Sequence, residues 1–571
     1  MLSLHHDNGA LRVDAACYCL TWAADRPFVT FDGSSGQRIA ELFVLSSVHS
    51  TRGHDDTLRI GAWRADEGDG VITLTLDAES SVWDAKRYIF ECYPDRFRYR
   101  IEVEGRGAIA DARYFGGYYS GSLKLGTGFF MSGQSFREGF NPEPNRQEIF
   151  TFPGNGATTI DLTGTSLPGR EDWFFTPPLF CYAFQLDELW LGIGVEAAPG
   201  ANTYTAYSYE GRRDAFALAL DYEGQTDVDG VYALPALGFD FASSPYEVLE
   251  RHAAALVRHG CALAPAQRLQ PAWWREPIFC GWGAQCGVAA AERGSAPDYA
   301  RQQLYDGFLQ ALEQHEIDPG IAVLDDKWQA TYGENRVDPA KWPDLRGFID
   351  GQHARGRKVL LWLKAWDPEG LPLDACVTNL AGLPVALDPT SAAGERALRD
   401  SIDVMLRDYN ADGFKIDFTA RIPSGPSLQR RGDAWGLELM RRYLGIIYDQ
   451  TKRIKPDALV MAHTPHPYLA DCVDMIRLND INMNADVLCA MQHRARLVNI
   501  ACPGVIIDTD NWPIKDRAMW RSYVKLQPEL GVPALYFATH IDRTGEPLTE
   551  DDYRLIRDTW AAYRAKVEAE A

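Results

Sequence analysis

Several short apolar runs of this chain end in aspartate, and one of them also carries a lysine. "GFKIDF" (Gly413–Phe418) sets Lys415 and Asp417 two residues apart, which in a strand puts both on one side. A carboxylate beside a cation is held ionised, and an ionised, oriented carboxylate can act as a nucleophile. "MIRLND" (Met475–Asp480) ends in a second carboxylate, Asp480, with Arg477 just before it. Two carboxyls facing each other across a pocket are the equipment of glycoside hydrolysis. "GIAVLDD" adds Asp325 and Asp326, "GVIIDTD" adds Asp508 and Asp510, and "KVLLWLK" ends in Trp362 and Lys364. A lone Asp after a strand is commonly a turn residue or helix cap. Its recurrence at the same end of several strands points to one shared pocket.

The elements that must hold these residues follow from the hydrophobic pattern. Short apolar runs alternate with helical ones across the second half. They are Ile278–Trp282, Gly320–Asp326, Lys358–Lys364, Gly413–Phe418, Leu459–Thr464, Met475–Asp480, Gly504–Asp510 and Pro533–Thr539. Helical segments such as "YARQQLYDGFLQALEQHE" and "GLELMRRYLGIIYDQTKRI" lie between most of them, and "TEDDYRLIRDTWAAYRAK" closes the series. That count and length predict a (β/α)₈ TIM barrel, whose active sites sit at the C-terminal strand ends. The first half reads differently. "VITLTLDAES", "RFRYRIEVEG", "LWLGIGVEAA" and "DAFALALDYEG" alternate apolar with polar or small residues, the signal of an antiparallel β-sandwich. "SPYEVLERHAAALVRHG" (Ser244–Gly260) switches to helical spacing, with Ser243 or Ser244 as cap. The expected organisation is a sandwich over 1–243, a linker helix and connection over 244–275, and the barrel over 276–571.

Composition narrows the function. The net charge of -22 disfavours nucleic acid and anionic membranes as partners. No stretch has the apolar length of a membrane span, and "MLSLHHDNGALRVDAACYCL" lacks the pattern of a signal peptide. The 11 cysteines are scattered without a CxxC pair, so neither a disulfide framework nor a structural zinc site is expected. A cytoplasmic protein with buried thiols is the expectation.

With these motifs in hand, the second half resembles the family 36 glycoside hydrolases, in the clan shared with families 27 and 31, and most of all the branch of alkaline α-galactosidases and raffinose synthases. "FCGWGAQ" is similar to the first-strand Gly-Trp segment of that branch. "HEIDPGIAVLDDKWQ" is similar to its I-x-P…I-D-D-G-W-Q segment, "ADGFKIDF" to its nucleophile strand and "RLND" to its R-x-S-D acid/base motif. The resemblance implies a retaining α-glycosidase with Asp417 as nucleophile and Asp480 as acid/base. It further implies that Asp325 and Asp326 bind sugar hydroxyls and that Lys415 and Arg477 reach hydroxyls or the catalytic carboxylates. Trp282, Trp328 and Trp362 are candidate walls for the sugar, with Lys364 and Asp510 beside them. The sequence departs from the family at Lys327, where Gly is usual, and at Asn479 and Ile481, where Ser and Asp are usual. These departures bear on which sugar is bound.

Other chemistries fit less well. His463 and His466 in "HTPHP" are spaced to ligate a metal, but no third ligand stands at a recognised spacing. The acidic segments "DTDNWP" and "THIDRTG" stand where a phosphate-binding barrel needs Gly-rich turns. No metal or organic cofactor is expected. The expected partner is an oligosaccharide or other α-glycoside, and a homo-oligomer is compatible with everything above. An α-glucosidase or a transglycosidase would use the same residues. A noncatalytic sugar-binding protein would not need both Asp417 and Asp480. "REGFNPEPNRQE" (Arg137–Glu148) is either a cover for the pocket or a surface loop.

Overall fold

The structure is a computed structural model. It describes residues 2–570 except 8, 25, 121–122, 127, 131–137, 141–148, 152–156, 162–178, 187–188, 213–214, 266–269, 479 and 482–485.

From Ser3 to Ala242 the described chain is almost entirely β. Its strands join into a 20-stranded antiparallel network with a separate two-stranded ribbon. Val71–Ser80 alternates buried with part-exposed positions along most of its length, as its sequence pattern requires. The inward side chains form an aromatic core in which Phe97 stacks on Phe239 with centroids 4.2 Å apart. Two strands run longer than the pattern suggests. In the sequence the alternating runs stop at Gly105 and Gly224, yet the strands span Arg96–Tyr114 and Ala215–Ala233 and pair along most of their length. Gly105 has φ +144° and faces Gly230 at φ +100°. The two strands stay paired through these glycines instead of ending at them.

The linker helix forms over Pro245–Arg258. The Ser244 hydroxyl accepts the N–H of Glu247, and the Glu247 carboxylate accepts from Ser243, a reciprocal cap of the capping-box kind. This helix lies directly on the strand Leu189–Glu196. A methyl group on Gly194 would stand 2.3 Å from the ring of His252, so only glycine allows this close approach.

The second half forms the parallel barrel. Its strands are Ile278–Cys280, Ile321–Leu324, Lys358–Lys364, Gly413–Asp417, Leu459–Ala462, Met475–Arg477, Ile506–Asp508 and Ala534–Leu535. They are ordered 7-6-5-4-3-2-1-8 in one sheet. An isolated parallel bridge between Asp508 and Val532, two residues before strand 8, leaves the ring nearly closed. Most strands are shorter than their apolar runs. The first ends at Cys280, and Trp282 opens the helix Trp282–Glu292. The sixth ends at Arg477, so Asp480 stands in the loop beyond it.

Every second residue points into the barrel and fills its centre. Ile278, Cys280, Ile321, Val323, Leu360, Leu459, Met461, Met475 and Ile506 form this inner cluster. Two residues further along each strand the same alternation turns polar, at Asp325, Trp362, His463, Arg477 and Asp508, with Lys415 and Asp417 on strand 4. The apolar plug thus becomes the floor of a charged mouth at the C-terminal end.

Candidate active site

Asp417 ends strand 4, in register with Lys364 of strand 3. Its Oδ1 accepts from Arg477 Nη2 at 2.8 Å and from the backbone N–H of Phe418 at 2.9 Å, and its Oδ2 accepts from the indole N–H of Trp362 at 3.2 Å. His463 Nε2 lies 3.6 Å from Oδ1. Burial opposes ionisation here. Arg477, Lys415 and His463 outweigh it and hold the carboxyl well below the usual carboxylate range. Asp417 is therefore an anion, aimed by three donors and still 20% exposed toward the mouth.

Asp480 meets the other arm of the same guanidinium, with Arg477 Nη1 donating to its Oδ1 at 3.2 Å. Burial pushes its carboxyl up to about 7; Arg477 pulls down, and the negative Asp417 and Asp510 push up. Arg477 itself is buried, and its Nη1 also donates to Asp510 Oδ2 at 2.7 Å. One arginine thus joins three carboxylates, one on strand 4 and two in the segments just after strands 6 and 7. Asp510 is wholly buried, so it faces the arginine and not the solvent. Asp508 is buried behind it. Burial and then the charge of Asp510 push the Asp508 carboxyl up to about 7.

Lys415 pairs elsewhere than the sequence pattern suggests. Its Nζ donates to Asp325 Oδ2 at 2.7 Å, an oxygen that also takes the Cys280 thiol at 3.0 Å. Asp325 Oδ1 takes the N–H of Asp326 at 2.9 Å. Lys415 still contributes to the field at Asp417, but the direct cation on that carboxylate is Arg477. The reason is register: Asp325 stands level with Lys415 across the barrel interior, whereas Asp417 lies one layer higher.

Asp326 is half-buried at the mouth and accepts from the Tyr332 hydroxyl at 2.8 Å. Burial pushes its carboxyl up to about 6, against that hydrogen bond. Lys327 and Lys364 lie over the Tyr332 ring at 3.7 and 4.0 Å from its centroid, and each is also paired with an acid, Glu369 and Asp367 respectively. Lys327, the residue that departs from the family pattern, has φ +71°. Glycine accepts that backbone more easily.

The tryptophans divide. Trp282 is half-buried with its edge against Trp512 and can face a ligand. Trp362 is buried but reaches Asp417. Trp328 has no exposed surface, and its indole N–H is spent on the Trp362 carbonyl at 2.8 Å. It supports the wall from behind and is not itself a surface for the sugar. The two histidines of "HTPHP" separate as well. His463 lies beside Asp417 and Thr419, while His466 caps the turn Pro467–Cys472 and packs on Phe180. Asn479 and most of the loop 137–148 lie outside the described residues. Among the described residues, Glu196, Asp240 and His252 come close enough together to hold a metal, but Arg96 and Arg98 already occupy the two carboxylates.

Sequence reasoning missed Tyr332 and the place of His463. No signal marks Tyr332, which lies on an irregular loop. His463 could have been found, because it continues the inward alternation of Leu459 and Met461.

Among the described residues, the first half grips the loop that follows strand 4. Glu223 accepts from the Ser424 hydroxyl, the Gly425 N–H and the Trp435 indole, and Gln225 donates to the carbonyls of Gly425 and Leu428. That loop follows strand 4 and therefore follows Asp417.

An antiparallel first half, a nearly closed parallel barrel and carboxylates around its mouth define the fold shared by family 36 and family 31 glycoside hydrolases. The family 36 α-galactosidase AgaB from Geobacillus stearothermophilus superposes with a TM-score of 0.55 at 13% identity, covering 99% of this chain and 86% of that one. A family 31 sulfoquinovosidase from E. rectale, in complex with an aza-sugar inhibitor, gives a TM-score of 0.61 at 10% identity, covering 99% and 83%. No family model matches the sequence. Alpha-xylosidase XylQ of Lactiplantibacillus pentosus is 24% identical over 207 residues, which are 32% of this chain and 24% of the xylosidase. The match therefore spans about a quarter of that relative's length.

Proposed function

We propose that this chain is a retaining α-glycosidase acting on terminal α-linked sugars, with Asp417 as nucleophile and Asp480 as general acid/base. The observation that carries this is the opposed state of two carboxyls on one guanidinium. Asp417 is held as an anion, while Asp480 keeps its proton up to about pH 7. Carboxyls whose environments push their proton affinities apart are an acid/base pair with assigned roles.

The two half-reactions follow. Asp480 gives its proton to the glycosidic oxygen as Asp417 attacks the anomeric carbon, and a glycosyl ester forms on Asp417. Ester formation removes the negative charge that helped Asp480 hold its proton. Asp480 is then a stronger acid, stays ionised, and takes the proton of the incoming water. Arg477 remains beside both groups throughout. Asp326, Tyr332, Trp282 and Lys364 are part-exposed at the mouth and can contact the sugar. Residues 1–243 serve as a supporting domain that holds the loop after strand 4.

The resemblance to family 36 favours an α-galactoside, and the curated relative favours an α-xyloside as the second reading. The test is a screen with p-nitrophenyl α-galactoside, α-glucoside and α-xyloside, followed by natural oligosaccharides with and without added sugar acceptors. Proton NMR of the first product reads the anomeric configuration. Release of the α-anomer is expected. Release of the β-anomer removes Asp417 as nucleophile, and no turnover of any substrate leaves a noncatalytic sugar-binding protein.

A further inference from the structure

We propose that Asp510 is a positioning residue that fixes Arg477 between the two carboxyls and so sets the pH at which Asp480 gives up its proton. This rests on the α-glycosidase reading above and assigns a role that the two-carboxylate mechanism does not contain.

The geometry leaves Asp510 little else to do. It has no exposed surface, so no sugar hydroxyl can reach it. Its Oδ2 accepts from Arg477 Nη1 at 2.7 Å, and its Oδ1 accepts from the backbone N–H of Trp512 at 2.9 Å. Its own N–H donates to Asp508 Oδ1 at 2.9 Å. The backbone is left-handed here, with φ +44°. Such a conformation is costly for a residue with a side chain and persists only where surrounding contacts impose it. It turns the Asp510 carboxylate back under the arginine.

Asp510 and Asp480 therefore share one nitrogen, whose two hydrogens serve one carboxylate each. The contact to Asp510 is the shorter, at 2.7 Å against 3.2 Å. Pulled toward Asp510, Nη1 stabilises the ionised form of Asp480 less than it otherwise would. The negative charge of Asp510 adds direct repulsion. Both effects keep the proton on Asp480. Among the described residues, the other charged or titratable groups that face it are Asp417 and Lys415 from strand 4, Arg477 from strand 6, the Cys286 thiol from the helix Trp282–Glu292, and Arg494 from the helix Val487–Ala501, whose Nη1 donates to the Asp480 backbone carbonyl at 2.7 Å. Of these, Arg477 is the one that hydrogen-bonds Asp510, so it is the group that Asp510 acts through.

The experiment is the pH dependence of kcat/KM for wild type and Asp510→Asn, on whichever α-glycoside the enzyme turns over, with thermal melting of both. The alkaline limb of the variant is expected to move down by about one pH unit, so that its deficit is about tenfold greater at pH 8 than at pH 5.5. The loss should fall on kcat more than on KM. Asp510→Glu keeps the charge and should bring the limb back toward wild type. It also serves if the Asn variant does not melt cooperatively. A limb that stays in place in Asp510→Asn, or one that moves as far in Asp510→Glu as in Asp510→Asn, overturns the proposal. A raised KM with an unmoved limb would make Asp510 a sugar ligand instead. Equal activity of wild type and Asp417→Ala would defeat the underlying reading separately, whatever Asp510 does.

Discussion

Lys415 and Asp325 form a closed ion pair inside the barrel, with Nζ 2.7 Å from Oδ2 and both side chains 3% exposed. The cation is spent on a carboxylate that cannot reach solvent. Breaking such a pair from one side leaves an uncompensated buried charge and costs about 3–5 kcal/mol. Lys415→Met should therefore lower stability by that amount in chemical denaturation. The double variant Lys415→Met/Asp325→Leu should recover much of it. A double variant no more stable than the single one would mean that the pair does not act as a unit.

Asp417→Ala should retain the fold and lose roughly 10⁴-fold or more in turnover, since removing a nucleophile that acts within a unit removes most of the catalysis. Azide is small enough to enter the space vacated by the carboxylate. It should partly restore turnover of an activated p-nitrophenyl substrate and yield the β-glycosyl azide. Near wild-type activity without azide would assign the nucleophile elsewhere.

Asp480→Ala separates substrates by leaving group. p-Nitrophenolate departs unprotonated, whereas a sugar alkoxide needs the proton. Loss of a general acid costs about 10²–10⁴-fold on the natural linkage and far less in the first step with the p-nitrophenyl glycoside. Deglycosylation also loses its base, so a burst of p-nitrophenol followed by a slow steady state is expected. Equal losses on both substrates in stopped-flow measurements would move the acid to another residue.

The raised carboxyls carry a stability signature. Asp480 and Asp508 are both held near 7 when folded and lie near 3.9 when unfolded. Between those values the folded state binds more protons, so stability falls as pH rises through the interval. Asp508→Asn removes one such group without removing the acceptor for the Asp510 N–H. Its melting temperature should match wild type near pH 4 and exceed it above pH 7. The same difference at both pH values would show that Asp508 is ionised throughout.

Much of this was legible from residue order alone. Val359–Leu363 is an uninterrupted apolar run between two lysines, and the strand occupies Lys358–Lys364 from end to end. Asp417 and Asp480 stood out as carboxylates at strand ends, and the structure joins them through Arg477. The partner of Lys415 was not legible. Spacing by two places Lys415 and Asp417 on one side of a strand, but which carboxylate lies level with the lysine depends on the shear of the whole barrel. Trp328 illustrates a second limit. An indole is equally suited to a wall or to a core, and only the hydrogen bond to the Trp362 carbonyl decides between them. Strand ends were overestimated at Trp282 and Asp480 because apolar character runs on after the ladder stops.

The grip of Glu223 and Gln225 on the loop after strand 4 makes the barrel a poor portable module. A gene trimmed to the (β/α)₈ half would keep both carboxyls and lose the anchor of the segment that follows one of them. Recombination between related enzymes should therefore succeed at surface loops such as residues 379–383, where Leu380 and Leu383 are exposed, and fail at a junction drawn between the two halves unless the strand bearing Glu223 and Gln225 travels with its receiving loop.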